Sequence, residues 1–454
     1  MDTKTSQDRA TEIERFGIEH IPAEERHGTP GRTFTLWFAA NLTIADYVIG
    51  VLTTEVFGLT LAQSLPVLAI GNLLGGLVLG LSTAMGPKLG YPQMFTSRSS
   101  FGRKGNYLPG ALNWISTVGW FTVNTILGAL AVQAIIPSAS FYGAAAALVI
   151  VQVLIAIYGH DFIHLFEKWM SIVLGVIFLV VFLLALPQLS HAASIIPPGG
   201  GTSLAFGAFG TVLAVSFSYI MSWSPYASDY SRYLPEGTRR TRVALFSLAG
   251  GAIASFAIEV IGAIIGLLTG SSDYFVALRG FSGSIGLVIL AALVLGAISA
   301  NALNIYTNSL SALVLDVRAR RWITVSFGGA VGFILAALLG GSFEQFFENF
   351  LLILDYWITP WLAIILIDNY VLKRTSAESC RESKPVEWGT LGVYIVSILA
   401  SVPFMSPPTS LGSWVGFLNG WFGGADYSYF ISFGIAALLY YALRRQKAGG
   451  RNTK

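Results

Sequence analysis

Charge is scarce in this sequence. Of its 454 residues only 11% are Asp, Glu, Lys or Arg, whereas 54% are apolar. A soluble domain of this size is about a quarter charged, so a water-covered globule is the wrong class. Cysteine is scarcer still. The single one, Cys380, lies in a polar stretch, which excludes a disulfide framework and a thiolate metal site. Five histidines are spread unevenly and mostly between apolar segments. His160 and His164 stand one helical turn apart and read as solvated loop residues, so no metal site is expected. No glycine-rich loop runs into Lys and Ser/Thr, which argues against nucleotide hydrolysis. The start, Met1 to Arg32, has no short apolar core behind a basic stretch and so reads as a polar tail, not a signal peptide. The net charge of +3 offers nothing that calls for a nucleic-acid partner.

What the chain has in quantity is long uncharged runs. Roughly 20 apolar residues span a bilayer as a helix, and twelve such runs fall at about 34–57, 61–84, 107–136, 140–158, 169–188, 204–227, 245–269, 284–308, 323–341, 346–371, 389–406 and 427–443. Backbone amides in hydrocarbon must bond internally, so runs of this length are helices; a barrel would show short alternating strands. The basic residues gather between alternate spans. Lys88, Arg98, Arg103 and Lys104 follow span 2; Arg232, Arg239, Arg240 and Arg242 follow span 6; Arg318, Arg320 and Arg321 follow span 8. Lys373, Arg374, Arg381 and Lys384 follow span 10, and Arg444, Arg445 and Lys447 follow span 12. Lys168 and the basic residues of the N-terminal tail lie on the same side, and Arg279 falls opposite. That bias places both termini in the cytoplasm. Most of these cations set topology and meet anionic lipid; Arg98 and Arg232, in denser motifs, are also candidates for gating.

Polar side chains inside spans are costly and therefore informative, about 1–3 kcal/mol or more when unpaired. Span 1 carries Asn41 and Asp46 in mid-span, a pattern that suits a locally unwound helix whose carbonyls meet an ion, and equally suits bonding to a neighbouring helix. Thr117, Trp120 and Asn124 in span 3 share a face at i, i+3 and i+7. An indole beside an amide and a hydroxyl matches a planar hydrogen-bonding heterocycle; simple bundle packing of Trp120 accounts for it as well. Span 6 ends in Ser218-Tyr219-Ile220-Met221-Ser222-Trp223-Ser224-Pro225, where the proline interrupts the helix. Span 8 places Asn301 and Asn304 on one face, able to read a base edge or to join helices. Glu259 in span 7 and Asp355 in span 10 are further mid-span carboxyls, each a proton carrier or a structural acid.

Several stretches, taken in order, resemble the nucleobase–cation symport-1 family in its purine-cytosine permease branch. They are Ile18-Glu19-His20-Ile21-Pro22 with Glu25-Arg26, Trp37 and Asn41; Gly71-Asn72-Leu73-Leu74; and Gly86-Pro87-Lys88-Leu89-Gly90. Ser97-Arg98-Ser99-Ser100-Phe101-Gly102-Arg103-Lys104-Gly105, Leu108-Pro109, Val118-Gly119-Trp120-Phe121, Asp229-Tyr230-Ser231-Arg232-Tyr233, and Asn301 with Tyr306 follow. The likeness runs from about residue 15 to 375. It implies an all-α polytopic membrane protein with about 12 transmembrane helices, built as a five-plus-five inverted repeat of leucine-transporter type plus two extra helices. The implied bounds are a cytoplasmic tail 1–33, a core 34–371 (repeats about 34–188 and 204–371), added helices 389–443 and a tail 444–454. The polar ends 1–15 and 446–454 read as disordered.

The resemblance further implies a secondary transporter that imports cytosine or purines with a cation by alternating access. Trp120 would stack on the base, Asn301 would bond its edge, Thr117 would sit where relatives place a hydrogen-bonding side chain, and Asn124 is a further candidate. Tyr219 would give the second aromatic face with Ser222 beside it. Around the cation, relatives place span-1 carbonyls, here of Asn41 and Ile44, with Gly296 and Ser299 of span 8. Where sodium-coupled relatives have two adjacent hydroxyls this chain has Ser299 and Ala300. One oxygen short, the site favours H+ over Na+, with Asp46 or Glu259 as carrier. No cofactor, nucleic acid or obligatory protein partner is expected; the partners are the nucleobase and the lipid bilayer. The same family pattern admits uracil, allantoin, a hydantoin or a thiamine-precursor pyrimidine. A channel would need rings of like residues, and a membrane enzyme a nucleophile with its base; neither is present in the sequence pattern.

Overall fold

Because lipid offers the backbone no hydrogen bonds, the chain closes its own: helices make up the described structure, and no strand occurs among the described residues. The computed structural model describes residues 13–197, 205–271, 273–406 and 415–449. Of the tails read as disordered, 1–15 and 446–454, residues 1–12 and 450–454 lie outside the described residues, as does the Asp355 side chain.

Helices stand at all twelve expected places. Span 1 is split into Gly31–Ala40 and Ile44–Glu55, bent by 59° at the break. Spans 2 to 5 are Leu61–Thr83, Tyr107–Ile135, Phe141–Tyr158 and His160–Ala185. Span 6, Ala205–Met221, gives way to a 3-10 turn at Ser224–Tyr226 and a short helix Ala227–Ser231. Spans 7 to 12 are Arg240–Thr269, Gly286–Val314, Arg321–Leu339, Phe343–Leu366, Trp388–Ser401 and Ser428–Gly449. Seven of the described helices are long and apolar enough to cross a bilayer, eight when the halves of span 1 are joined. Large apolar side chains such as Ile150, Leu154, Val176, Phe327 and Leu338 face outward, as a lipid-facing surface requires.

Span 5 departs from expectation. It begins at His160 and not near 169, because the polar residues at its start are helical and buried. His160 and His164 are therefore not solvated loop residues: both ring Nε2 atoms lie against the Tyr230 carbonyl, at 3.2 and 3.1 Å. His160 also joins His27 and Asp161 in a cluster whose ligand-type atoms all lie within 4.8 Å of one another, a grouping the sequence spacing does not announce.

Two helix pairs form the centre. Spans 3 and 8 run antiparallel, as shown by Asn124 meeting Asn301 while Thr117 meets Asn308. Span 7 lies against the second half of span 1, where a Cβ on Gly262 would stand 3.0 Å from both Gly50 Cα and Val51 N; glycine there allows the helices to touch backbone to backbone.

Candidate functional site

The two broken helices meet. Asn41 ends the first half of span 1, and its amide donates to the Trp37 carbonyl at 2.6 Å and accepts from Trp223 Nε1 at 3.0 Å, in the break of span 6. Thr43 is extended and caps the second half, its Oγ1 accepting from Asp46 N at 3.3 Å. The same hydroxyl shares a 2.6 Å hydrogen bond with the Tyr219 phenol of span 6. Pro225, in the first turn of the 3-10 segment, stops span 6 from continuing straight.

Trp120 stands beside this clasp. Its indole meets Tyr219 edge-on at 5.4 Å and 88°, and Phe350 of span 10 at 5.3 Å and 78°, with Phe347 at 6.4 Å. Trp120 Nε1 is buried and has no hydrogen-bond partner among the described residues, a donor held in reserve. Ser222 turns back onto its own helix, donating to the Tyr219 carbonyl at 2.7 Å. Phe347 and Phe350 are not singled out by the sequence: the stretch Phe343–Phe350 interleaves phenylalanines with Glu344, Gln345, Glu348 and Asn349, and nothing in that pattern marks which rings turn toward Trp120.

An amide row follows along span 8. Tyr226 Oη donates to Asn304 Oδ1 at 3.0 Å, while the amides of Asn304 and Asn124 each donate to Asn301 Oδ1 at 3.3 Å. Asn301 Nδ2 is shared among the Phe121 carbonyl, Thr125 Oγ1 and Gln152 Oε1 at 2.9–3.2 Å. Asn301 is thus oriented by spans 3 and 4. Thr117 stands apart: it donates to the Asn113 and Trp114 carbonyls and accepts from Asn308 Nδ2 at 3.0 Å, two helical turns from Asn301. The structure brings Trp120, Tyr219, Asn124 and Asn301 to one level and leaves Thr117 on the seam between spans 3 and 8.

The cation-site candidates divide into two groups. Gly296 packs against the span-1 break so closely that a Cβ there would strike the Leu42 carbonyl oxygen and lie 3.5 Å from Thr43 Cα. Ile44 begins the second half of span 1, and Ser299 follows Gly296 by one turn of span 8. Ser299 Oγ donates to Glu167 Oε2 of span 5 at 2.5 Å. Asp46 instead faces the Glu259 carboxyl and the Ser255 hydroxyl of span 7. Glu259 Oε2 accepts from Asn72 Nδ2, and from Ser216 Oγ at 3.2 Å. Glu167 lies just before the apolar run expected at 169–188 and so is not marked as a mid-span carboxyl, although His160, His164, Glu167, Ser171 and Leu174 trace one buried helical face.

At the end carrying the basic clusters, residues 14–27 lie across the bundle. Glu14 Oε1 accepts from Arg232 Nη2 at 3.1 Å, Tyr306 Oη at 2.9 Å and Tyr233 Oη at 2.5 Å, with Arg321 3.9 Å from Oε2. Arg232 is fully buried and also donates to the Gly17 carbonyl at 2.6 Å. Ile21 N donates to the Gly90 carbonyl, and His27 N to that of Tyr233. Burial pushes the Glu14 carboxyl up, but Arg321, Arg232 and His160 prevail and hold it below the usual glutamate value. This stretch is ordered, against the expectation of a disordered tail as far as residue 15. Arg98 is likewise tied in, donating to the Val314 carbonyl at 2.8 Å.

Comparison with known proteins places these features in a group. Residues 20–432 match the family described as permeases for cytosine/purines, uracil, thiamine and allantoin. The chain is 32% identical to a candidate purine-cytosine permease of Bacillus subtilis, over 96% of each chain. It is 28% identical to a purine-cytosine permease of Emericella nidulans, over 95% of this chain and 88% of that one. Among solved structures it resembles a nucleobase-cation-symport-1 family transporter in a closed conformation with bromovinylhydantoin bound, at TM-score 0.79, 19% identity and 96% coverage of both chains. The inward-facing form of that transporter matches at TM-score 0.73.

Proposed function

This chain belongs to the family of permeases for cytosine/purines, uracil, thiamine and allantoin, and from that premise we propose that it imports cytosine or a purine base by alternating access, driven by protons. It is a multi-pass membrane protein of a transport family and not an enzyme. The observation that carries the substrate reading is the group at the meeting point of the two broken spans. There Trp120, with an uncommitted indole N–H, is framed by Tyr219 and Phe350 and lies on the same level of spans 3 and 8 as the Asn124–Asn301–Asn304 row. A planar base needs an aromatic face to stack on and amides to pair with its edge.

Orientation follows from charge: the basic clusters and both termini face the cytoplasm of a plasma or inner membrane. Coupling to protons rests on Ala300, which leaves Ser299 without a second hydroxyl neighbour, and on the buried carboxyls Asp46 and Glu259, which face each other and can take up and release a proton.

Uptake of labelled cytosine in cells lacking their own permease tests this reading. Entry that adenine and hypoxanthine compete, that a protonophore stops and that sodium replacement leaves unchanged is the expected result. Entry of uracil or allantoin alone would move the substrate within the family; no entry of any base would overturn the assignment.

A further inference from the structure

We infer that Glu167 is a proton-binding position of the transport cycle, set at the junction of spans 1, 5 and 8; the inference rests on the reading of the chain as a proton-driven transporter. Its side chain is buried completely, yet Ser299 Oγ, 2.5 Å from Oε2, is its one hydrogen-bond donor, and Oε1 has none among the described residues. A buried carboxylate is normally matched by a cation or by several donors, and Glu167 has neither. Among the described residues, the helices packed against span 5 bring Glu167 no ion pair. Spans 4 and 8 carry no charged residue, and their titratable groups are Tyr142, Tyr158 and Tyr306, the last bonded to Glu14 and Arg232. Span 7 contributes Glu259, held by Asn72 and Ser216, and Arg240 and Arg242 at its start; the first half of span 1 contributes Arg32. A group in that setting changes charge by gaining or losing a proton.

The position couples that change to the moving parts. Ser299 stands one turn from Gly296, whose backbone touches the break in span 1. When Glu167 is ionised the Ser299 hydroxyl donates to it; when a proton binds, the carboxyl O–H becomes a donor itself and Ser299 is freed to bond elsewhere. The grip of span 5 on span 8 therefore differs between the two states. A proton reaching Glu167 would come from the basic end. A cavity of about 270 Å³ at the basic end is lined by Arg32, Thr35, Asp161, His164 and Lys168, and His164 lies one helical turn before Glu167 on the same buried face of span 5.

The test is Glu167→Gln in purified protein reconstituted in liposomes, read three ways. A Gln carbonyl still accepts from Ser299, so the fold is kept. Accumulation of labelled cytosine under an imposed pH gradient should fall by roughly tenfold or more, while exchange of internal for external base stays within about twofold of wild type. Ser299→Ala should shift the pH midpoint of accumulation without abolishing it. Independently of substrate, the infrared carboxyl stretch in the wild-type minus Glu167→Gln difference should titrate with pH. Full accumulation by the Gln variant, loss of exchange together with accumulation, or the absence of a titrating carboxyl band would each overturn the inference. A wild-type protein that exchanges no base while showing that band would sink the substrate assignment and leave the proton site standing.

Discussion

On the proposed reading Trp120 is the side chain that stacks on the base, and its surroundings say what removing it does. Tyr219 and Phe350 approach it edge-on, so Trp120→Ala leaves their rings in place and deletes the indole face proposed to stack on a base. Stacking of a base on an aromatic ring is worth about 1–3 kcal/mol, roughly 5- to 150-fold in affinity. Equilibrium binding of cytosine should weaken by that factor while the protein still elutes as a folded species. The neighbour of Ser299 gives a second residue-scale expectation. Ala300→Ser restores a hydroxyl beside Ser299, and uptake should gain a stimulation by sodium that the parent lacks; identical sodium response in both would contradict the account of the weakened ion site.

Span 1 and span 5 show how legibility varies between elements. The break in span 1 was readable because Asn41 and Asp46 stand in an otherwise apolar run, and a helix unwinds where side chains and neighbours can take over its backbone partners. The start of span 5 was not readable, because His160, Asp161, His164 and Glu167 look solvated in sequence. In the structure they are helical, and the polar groups meet partners far along the chain: Tyr230 for the two imidazoles, Ser299 for the Glu167 carboxyl and His27 for Asp161. Phe350 was hidden for a different reason, since the sequence does not mark which of Phe343, Phe346, Phe347 and Phe350 packs against Trp120. The separation of Thr117 from Trp120 is geometric: residues at i and i+3 point about 60° apart around a helix, enough for Trp120 to face span 6 while Thr117 faces Asn308. Gly296 provides the test at this scale. Gly296→Val would drive its side chain into the Leu42 carbonyl, and such overpacking costs about 1–3 kcal/mol. The variant should melt at lower temperature in detergent and lose uptake, whereas Gly392, with nothing within 4 Å of a Cβ, should tolerate valine.

Across the whole molecule the basic end is crossed by the stretch from Glu14 to His27, bonded to Arg232, Tyr233, Tyr306 and the Gly90 carbonyl, and the alternating-access cycle proposed above would have to release it. Breaking a buried ion pair by removing one partner costs on the order of 3–5 kcal/mol, so Glu14→Ala should expose residues 14–27 to hydrogen exchange and lower the melting temperature, with Arg232 left buried and unpaired. The pH dependence has a definite sign. Burial alone would raise the Glu14 carboxyl, but Arg321, Arg232 and His160 hold it below the ordinary 4.5. Its contribution is therefore whole above that value and is lost as pH falls through the lower, folded one. Protection of the strap's amides, taken relative to the intrinsic exchange rate at each pH, should be flat from neutral pH to about 5 and fall only under stronger acid.

The most direct test of the central claim is accumulation of labelled cytosine by the purified protein in sealed liposomes, with an inward proton gradient, no sodium on either side, and unlabelled adenine as competitor. Uphill accumulation that adenine suppresses and that collapses when a protonophore dissipates the gradient is what a proton-driven nucleobase importer must show. Cytosine that only equilibrates across the membrane, or accumulates solely when a sodium gradient is supplied, would contradict it.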